Sequence, residues 1–122
     1  MIIDSHTHLY DIGFLPHKWY DAAARHWAFG KMPYRDPDII RPKIEPGLVD
    51  PDGRLMIADM DAAEVDAIVL LAVDFSLGVG EEAIVPMEEV HRRYGILQKK
   101  YPGRFHAFAG VDPRRPNAVE IF

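Results

Sequence analysis

The chain has 122 residues, a formal net charge of −5 and no cysteine. This length fits one domain, and the lack of cysteine excludes disulfides and thiolate metal ligands. The acidic balance gives no electrostatic reason to expect nucleic acid or an anionic membrane as a partner. The N-terminus lacks the basic start of a signal peptide, and no apolar run reaches the ~18 residues of a membrane span. The composition therefore predicts a cytoplasmic protein with no membrane or nucleic-acid partner.

The first predicted element is a strand over residues 2–8, which ends in two histidines one residue apart. Side chains alternate between the faces of a strand, so Asp4, His6 and His8 are expected to share one face. Like-facing residues lie roughly 6.6 Å apart, and both imidazoles can reach one cation if the strand end curls. Zinc suits neutral imidazole, and so do iron or manganese when carboxylates complete the shell. His6 and His8 are therefore predicted metal ligands, unless they only contact backbone or solvent.

Asp4 precedes this histidine pair by two residues. We expect its carboxylate to orient a ligating histidine, or to be a satisfied group inside a barrel, rather than to bind the cation itself.

Residues 10–50 are too long for a simple connection between a strand and a helix. A helix is predicted over residues 16–27, and four prolines are expected to keep the following stretch out of helix and sheet: Pro33, Pro37, Pro42 and Pro46. In a parallel fold this insertion leaves the carboxyl end of the first strand, so it is predicted to form a lid over the histidines. His17 and Trp19 are candidate substrate-binding residues there, although the lid aromatics could equally anchor the loop or a subunit contact.

The rest of the chain alternates helices and strands. Asp50 is expected to cap a helix that has Pro51 at its first position. The apolar run 67–73 is typical of a strand buried on both faces of a parallel sheet. The elements predicted after it are a helix, a strand, a turn and the start of a helix: residues 86–100, 105–111, 112–117 and 118–122. This order is typical of a parallel α/β sheet with right-handed crossovers.

Further basic side chains outside the first strand are candidates for a role in a site. Arg114 and Arg115 follow the third strand and could bind an acidic substrate, with an exposed salt bridge at least as strongly expected. His26 is expected on the surface or the lid, and His91 in solvent on the polar side of its helix. His106 is second in its strand, so a packing role is predicted for it.

Three stretches resemble the amidohydrolase-related family of metal-dependent TIM barrels. Residues 3–8 look like the family's first-strand metal motif, and residues 58–70 are similar to its first helix and second strand. In the second stretch the family often has glycine where Glu64 stands. Residues 100–113 look like the entry to its third strand. The family contains amide and ester hydrolases and non-oxidative decarboxylases of the aminocarboxymuconate-semialdehyde and hydroxybenzoate type.

The resemblance implies an α/β fold in which residues 1–122 form one incomplete domain, about three βα units of a (β/α)8 barrel. His6 and His8 would bind one or two divalent cations, most often zinc, with manganese or iron as alternatives. The catalytic base and the other ligands would lie on strands that this sequence does not contain. The implied activity is metal-dependent hydrolysis or non-oxidative decarboxylation of a small carboxylate, amide or ester.

One layer of helices would leave the other face of the middle strand uncovered. We therefore expect a homo-oligomer, or completion of the fold by further chain. Two other functions stay open at this point. Phosphoesterase barrels of the PHP type also open with Asp-x-His-x-His, and an inactive fragment or accessory subunit could keep the histidines as relics.

Overall fold

The structure, a computed structural model, describes residues 1–30 and 34–122. Within these residues it contains three strands and six helices, in chain order β1 (Ile3–Thr7), α1 (His17–Phe29), α2 (Pro37–Leu48), α3 (Arg54–Ala62), β2 (Ala67–Leu71), α4 (Ser76–Val79), α5 (Met87–Lys100), β3 (Phe105–Phe108) and α6 (Ala118–Ile121). The strands form one parallel sheet in the order β1-β2-β3. The predicted α/β class with a parallel sheet is confirmed.

One face of the sheet is covered by helix α5. Its apolar residues recur every three or four positions, so they form a single stripe along the helix. The buried members of the stripe are Met87, Val90, Tyr94 and Leu97. They pack with β2 and β3 side chains that are almost fully buried, namely Ile68, Leu70 and Phe105. Burial of this apolar surface is the main force that holds α5 against the sheet.

The opposite face of the sheet is open. Register pairs Val69 with His106 and Leu71 with Phe108, so these four side chains share a face. Phe108 is 56% exposed and His106 is exposed, whereas Val69 and Leu71 are half-buried. The packing role predicted for His106 is therefore wrong, because its side of the sheet is the uncovered one.

The insertion predicted over residues 10–50 contains two helices, α1 and α2, which pack against each other around Leu15, Tyr20, Ala24 and Ile44. The expectation that prolines exclude helix here is wrong for Pro37, Pro42 and Pro46, which all lie in α2. Pro37 is at the first helical position, where its missing N–H costs nothing. The other two lie inside the helix, which is held by its packing against α1 through Ile44 and the partly buried Ile40 and Leu48. Pro33 lies outside the described residues.

The helix expected directly after Asp50 begins later, at Arg54. Gly53 precedes it with a φ of 72°, and residues 51–53 form a turn rather than a first helical turn. Asp50 is buried, and its carboxylate accepts a hydrogen bond of 2.9 Å from the Met56 N–H. Asp50 therefore accepts a hydrogen bond from a backbone N–H in the first turn of α3, although it does not occupy the N-cap position predicted for it.

The prediction that His91 is solvated is also wrong. Its Nε2 lies 2.9 Å from the carbonyl oxygen of Gly110 and 3.1 Å from the Gly110 nitrogen. Glycine is required at position 110, because a Cβ there would lie 2.0 Å from the carbonyl oxygen of Ala72. The His91 ring therefore fastens α5 to the main chain that follows β3.

None of the helices in residues 1–30 and 34–122 combines the length and the apolarity needed to cross a bilayer.

Candidate metal site

His6 and His8 lie next to each other at the carboxyl end of β1. Their ring centroids are 4.9 Å apart and the ring planes are nearly perpendicular, at 85°. Nδ1 of His8 is 2.9 Å from the carbonyl oxygen of Leu71. A carbonyl oxygen can only accept, so Nδ1 carries the hydrogen and Nε2 keeps its lone pair. Metal-binding histidines are commonly held in this way, with one ring nitrogen donating to a carbonyl and the other facing the cation.

The parallel pairing of β1 with β2 determines this arrangement. Thr7 is in register with Leu70, so His8 follows at the level of Leu71 and can reach its carbonyl group. In parallel α/β sheets ligands bind at the carboxyl ends of the strands, which is where both imidazoles lie.

Asp4 does not alternate regularly with the two histidines. Asp4 is in register with Ile68 and Thr7 with Leu70, so β1 contains one residue more than β2 across this interval. Such a bulge breaks the alternation that was expected for Asp4 and the histidine pair. The Asp4 carboxylate accepts a hydrogen bond of 3.0 Å from the backbone N–H of His6, which lowers the pKa of Asp4. Asp4 therefore acts on the backbone of His6 rather than on its ring.

A row of aromatic side chains runs from His8 into the insertion. The ring of Tyr10 is 6.1 Å from that of His8 and 6.4 Å from that of Trp19. Trp19 in turn stacks on Phe75 at 5.8 Å and 26°. Burial raises the pKa of Tyr10 to about 12, so its hydroxyl stays protonated at neutral pH. Trp19 is thus linked to the histidine pair through Tyr10, and Phe75 extends the row beyond the residues that were predicted.

The other two candidate substrate-binding residues, His17 and Arg114, are exposed, whereas Trp19 is half-buried. His17 is exposed at the first position of α1. Arg114 is exposed and donates to both carboxylate oxygens of Asp112, with its Nη2 2.5 Å from Oδ2. The hydrogen bonds from Arg114 lower the pKa of Asp112 to about 2. The salt bridge considered for Arg114 is therefore present, and a role in substrate binding stays a prediction.

The salt bridge expected for Arg115 is present but buried, and its partner, Asp74, was not predicted. Asp74 follows β2, its side chain is 1% exposed, and it pairs with Arg115, whose Nη2 is 3.0 Å from Oδ1. Burial raises the pKa of Asp74, but hydrogen bonds from Arg115 and from the N–H groups of Asp112 and Ser76 more than compensate, so the pKa is lowered overall. An aspartate directly after an apolar strand was the signal for this position. Asp74 ties the end of β2 to the turn before α6.

The two histidines supply only part of a zinc centre. In the part of the chain that the structure describes, no group of three or more His, Asp or Glu side chains gathers at metal-binding distances. Zinc in proteins takes three or four protein ligands. The chemistry of the pair fits a divalent cation, and at least one further ligand is needed to hold it.

No protein-family model, curated protein or solved structure matches this chain. The family resemblance of the three stretches therefore stays a hypothesis, and the functional argument depends on the geometry of the site.

Proposed function

We propose that His6 and His8 bind a divalent cation, zinc in preference to manganese or iron, as part of a metal-dependent hydrolase or non-oxidative decarboxylase. The substrate would be a small carboxylate, amide or ester. The observation that carries this proposal is the pair of neighbouring imidazoles at the end of β1, with Nδ1 of His8 engaged by Leu71. That hydrogen bond leaves Nε2 of His8 as the only ring nitrogen with a lone pair for a metal.

The roles of the surrounding residues follow from their contacts. The carbonyl group of Leu71 holds the His8 ring and raises its basicity, while Asp4 holds the backbone of His6. Tyr10 and Trp19 supply an apolar wall beside the pair, which would limit the access of water to a bound substrate. A divalent cation, when bound, supplies Lewis acidity toward a substrate oxygen and lowers the pKa of a coordinated water.

The open face of the sheet supports the barrel part of the proposal. Three parallel strands with helices on one side only are what the first part of a (β/α)8 barrel looks like. Further strands, from the same or another chain, would cover Phe108 and supply the missing ligands. The activity of a complete site is therefore proposed for the assembled protein.

Zinc uptake tests the metal site directly. After equilibrium dialysis of the assembled protein against Zn²⁺, elemental analysis should find zinc in the wild type and none in the His6→Ala, His8→Ala double variant. A matched control removes two exposed histidines, His26 and His106, and should retain the zinc. Equal zinc in the wild type and the His6/His8 variant, or none in either, contradicts the proposal.

The two proposed reactions give different products. The zinc-loaded protein should hydrolyse 4-nitrophenyl acetate if it is an esterase or amidase, or release carbon dioxide from hydroxybenzoates if it is a decarboxylase. Either activity should disappear in the His6/His8 double variant. If the protein binds zinc but shows neither activity, the enzymatic part of the proposal is contradicted and only the metal-binding part stands.

A further inference from the structure

The hydroxyl group of Tyr94 forms two hydrogen bonds to the main chain that directly follows the histidine pair. It accepts from the Leu9 N–H at 3.2 Å and donates to the Leu9 carbonyl oxygen at 2.7 Å. Tyr94 is 2% exposed and belongs to the apolar stripe by which α5 packs on the sheet. One side chain of α5 therefore holds both polar main-chain groups of the residue next to His8.

Leu9 depends on this contact for its main-chain hydrogen bonds. It lies beyond Thr7, the last residue of β1, and neither its N–H nor its carbonyl group pairs with another main-chain group among the residues described. Leu9 is itself 2% exposed, so water has little access to these two groups. Buried polar groups of the main chain need a partner, and the Tyr94 hydroxyl serves both.

The contact acts on His8 because a peptide group is planar. The N–H of Leu9 belongs to the same rigid unit as the Cα of His8, and the carbonyl group of Leu9 belongs to the same unit as the Cα of Tyr10. A hydroxyl that holds both groups therefore restricts rotation of the main chain on each side of Leu9. The His8 ring is held from β2 by the Leu71 carbonyl group, and its main chain is held from α5.

Other contacts hold the chain further from the histidines. The Tyr10 carbonyl group accepts from the Asp50 N–H, and the Asp11 carboxylate pairs with Arg93. Both contacts act further along the chain, so neither restrains the peptide group that directly follows His8.

Packing alone does not require a hydroxyl group at position 94. The Tyr94 ring lies in the same buried cluster as Phe14, with ring centroids 6.4 Å apart, and phenylalanine would fill nearly the same volume. Burial raises the pKa of Tyr94 to about 12, so the hydroxyl keeps its hydrogen at neutral pH and can donate it to Leu9. The effect of the hydroxyl can therefore be measured separately from that of the ring.

We propose that Tyr94 is a positioning residue for the histidine pair: by holding the main chain of Leu9, its hydroxyl keeps His8 where Nε2 can bind a cation. Tyr94 does not touch the cation or a substrate, because its side chain is buried in the apolar core. The same hydroxyl directs the chain toward Tyr10, the next residue of the aromatic row. This inference rests on the proposed metal site, but the position of the His8 ring can be measured without a metal.

Tyr94→Phe removes the hydroxyl and keeps the ring. In the metal-free protein at pH 8, nitrogen chemical shifts should show His8 moving from the Nδ1-protonated tautomer toward the mixture found in free histidine, because the ring is no longer held in line with the Leu71 carbonyl group. Zinc titration of the assembled protein should show a dissociation constant raised about tenfold, the lower end of the effect typical of residues that orient metal ligands.

Leu97→Val is the matched control. Leu97 is buried one turn further along the same stripe, so the substitution removes a methylene group from the core without altering a hydrogen bond. It should leave the His8 tautomer and the zinc dissociation constant unchanged. A tautomer shift of equal size in the two variants would indicate a general loosening of the core and overturn the inference.

The outcomes separate the role of Tyr94 from the proposed function. An unchanged His8 tautomer in Tyr94→Phe overturns the inference, and so does an unchanged zinc dissociation constant. A wild type that takes up no zinc contradicts the proposed function instead, and the tautomer comparison alone then decides the role of Tyr94. If Tyr94→Phe does not fold, hydrogen exchange of the wild type decides. The Leu9 amide should exchange slowly although it lies outside β1, and fast exchange overturns the inference.

Discussion

Nδ1 of His8 donates to the carbonyl oxygen of Leu71 across the β1–β2 pair, at 2.9 Å. The hydrogen bond connects a candidate metal ligand to the strand that is buried on one face of the sheet and open on the other. The orientation of the His8 ring is consequently set by main-chain geometry.

This contact predicts the tautomer of His8. At pH 8 the neutral ring should carry its hydrogen on Nδ1, whereas exposed His26 should show the mixture of tautomers found in free histidine. Nitrogen chemical shifts of the two rings report the tautomers, and addition of Zn²⁺ should move the Nε2 resonance of His8. A His8 ring protonated mainly on Nε2 would contradict the contact with Leu71.

Two adjacent arginines should differ greatly in their effect on stability. Arg115 is 14% exposed and pairs with Asp74, so Arg115→Ala leaves a buried carboxylate without its cation and should lower the free energy of unfolding by about 3 kcal/mol. Arg114 is 67% exposed and solvent can replace much of its pairing with the largely buried Asp112, so Arg114→Ala should lower the urea midpoint much less than Arg115→Ala does. Equal urea midpoints for the two variants would contradict the burial of the Asp74–Arg115 ion pair.

Stability should fall steeply in acid. The pKa values of Asp74, Glu89 and Asp112 all lie below their ordinary values, and those of Glu89 and Asp112 are about 2. Hydrogen bonds from Arg92 and Arg93 are the main cause for Glu89. Such carboxyls bind fewer protons folded than unfolded, so their contribution is complete above their ordinary pKa values near 4 and is lost as the pH falls through their folded values. Urea midpoints measured from pH 6 to pH 2 should decrease accordingly, and a flat profile would contradict these ion pairs.

Glu64 should be replaceable by glycine with a gain in stability. It has a φ of 56° just after α3, where the Val65 N–H donates to the Met60 carbonyl at 2.8 Å to close the helix end. An L-residue in this left-handed conformation costs ~1–2 kcal/mol, which glycine avoids. After allowance for the greater unfolded-state entropy of glycine, Glu64→Gly should raise the free energy of unfolding by about 0.5–1 kcal/mol.

Ala63→Gly provides the matched control for this substitution. Ala63 has a φ of −93°, so glycine there relieves no strain and should destabilise the protein slightly through the unfolded state. A loss of stability in both variants would exclude the left-handed conformation at Glu64.

The parts of the fold that were predictable from sequence are those determined by local patterns. The apolar stripe of α5 and the continuous apolar run of β2 each specify an element without reference to the rest of the chain. The prolines of α2 show where this reasoning fails. They lie in a helix that packs along its length against α1, a contact that is absent from any short window of sequence.

The site was predictable to a similar extent. The spacing of His6 and His8 is a local property, and the two rings are indeed neighbours. The bulge that displaces Asp4 depends on pairing with β2, and the Asp74–Arg115 ion pair joins residues that are 41 positions apart. His91 contacts the main chain of Gly110, a position where a Cβ would collide with the Ala72 carbonyl oxygen, and both contacts depend on the tertiary structure.

The insertion enters and leaves the fold at a single point. Tyr10 and Val49 form an isolated parallel bridge, and the Asp50 N–H donates to the Tyr10 carbonyl at 2.9 Å. The rest of the fold holds the same segment at further points: Phe14 is buried in the core beneath the sheet, and the Val85 N–H donates to the Gly13 carbonyl at 3.0 Å. The aromatic wall beside the histidines is thus anchored in the body of the fold as well as at its own base, so a change in the length of the insertion would also alter the support of the histidine-bearing end of the first strand.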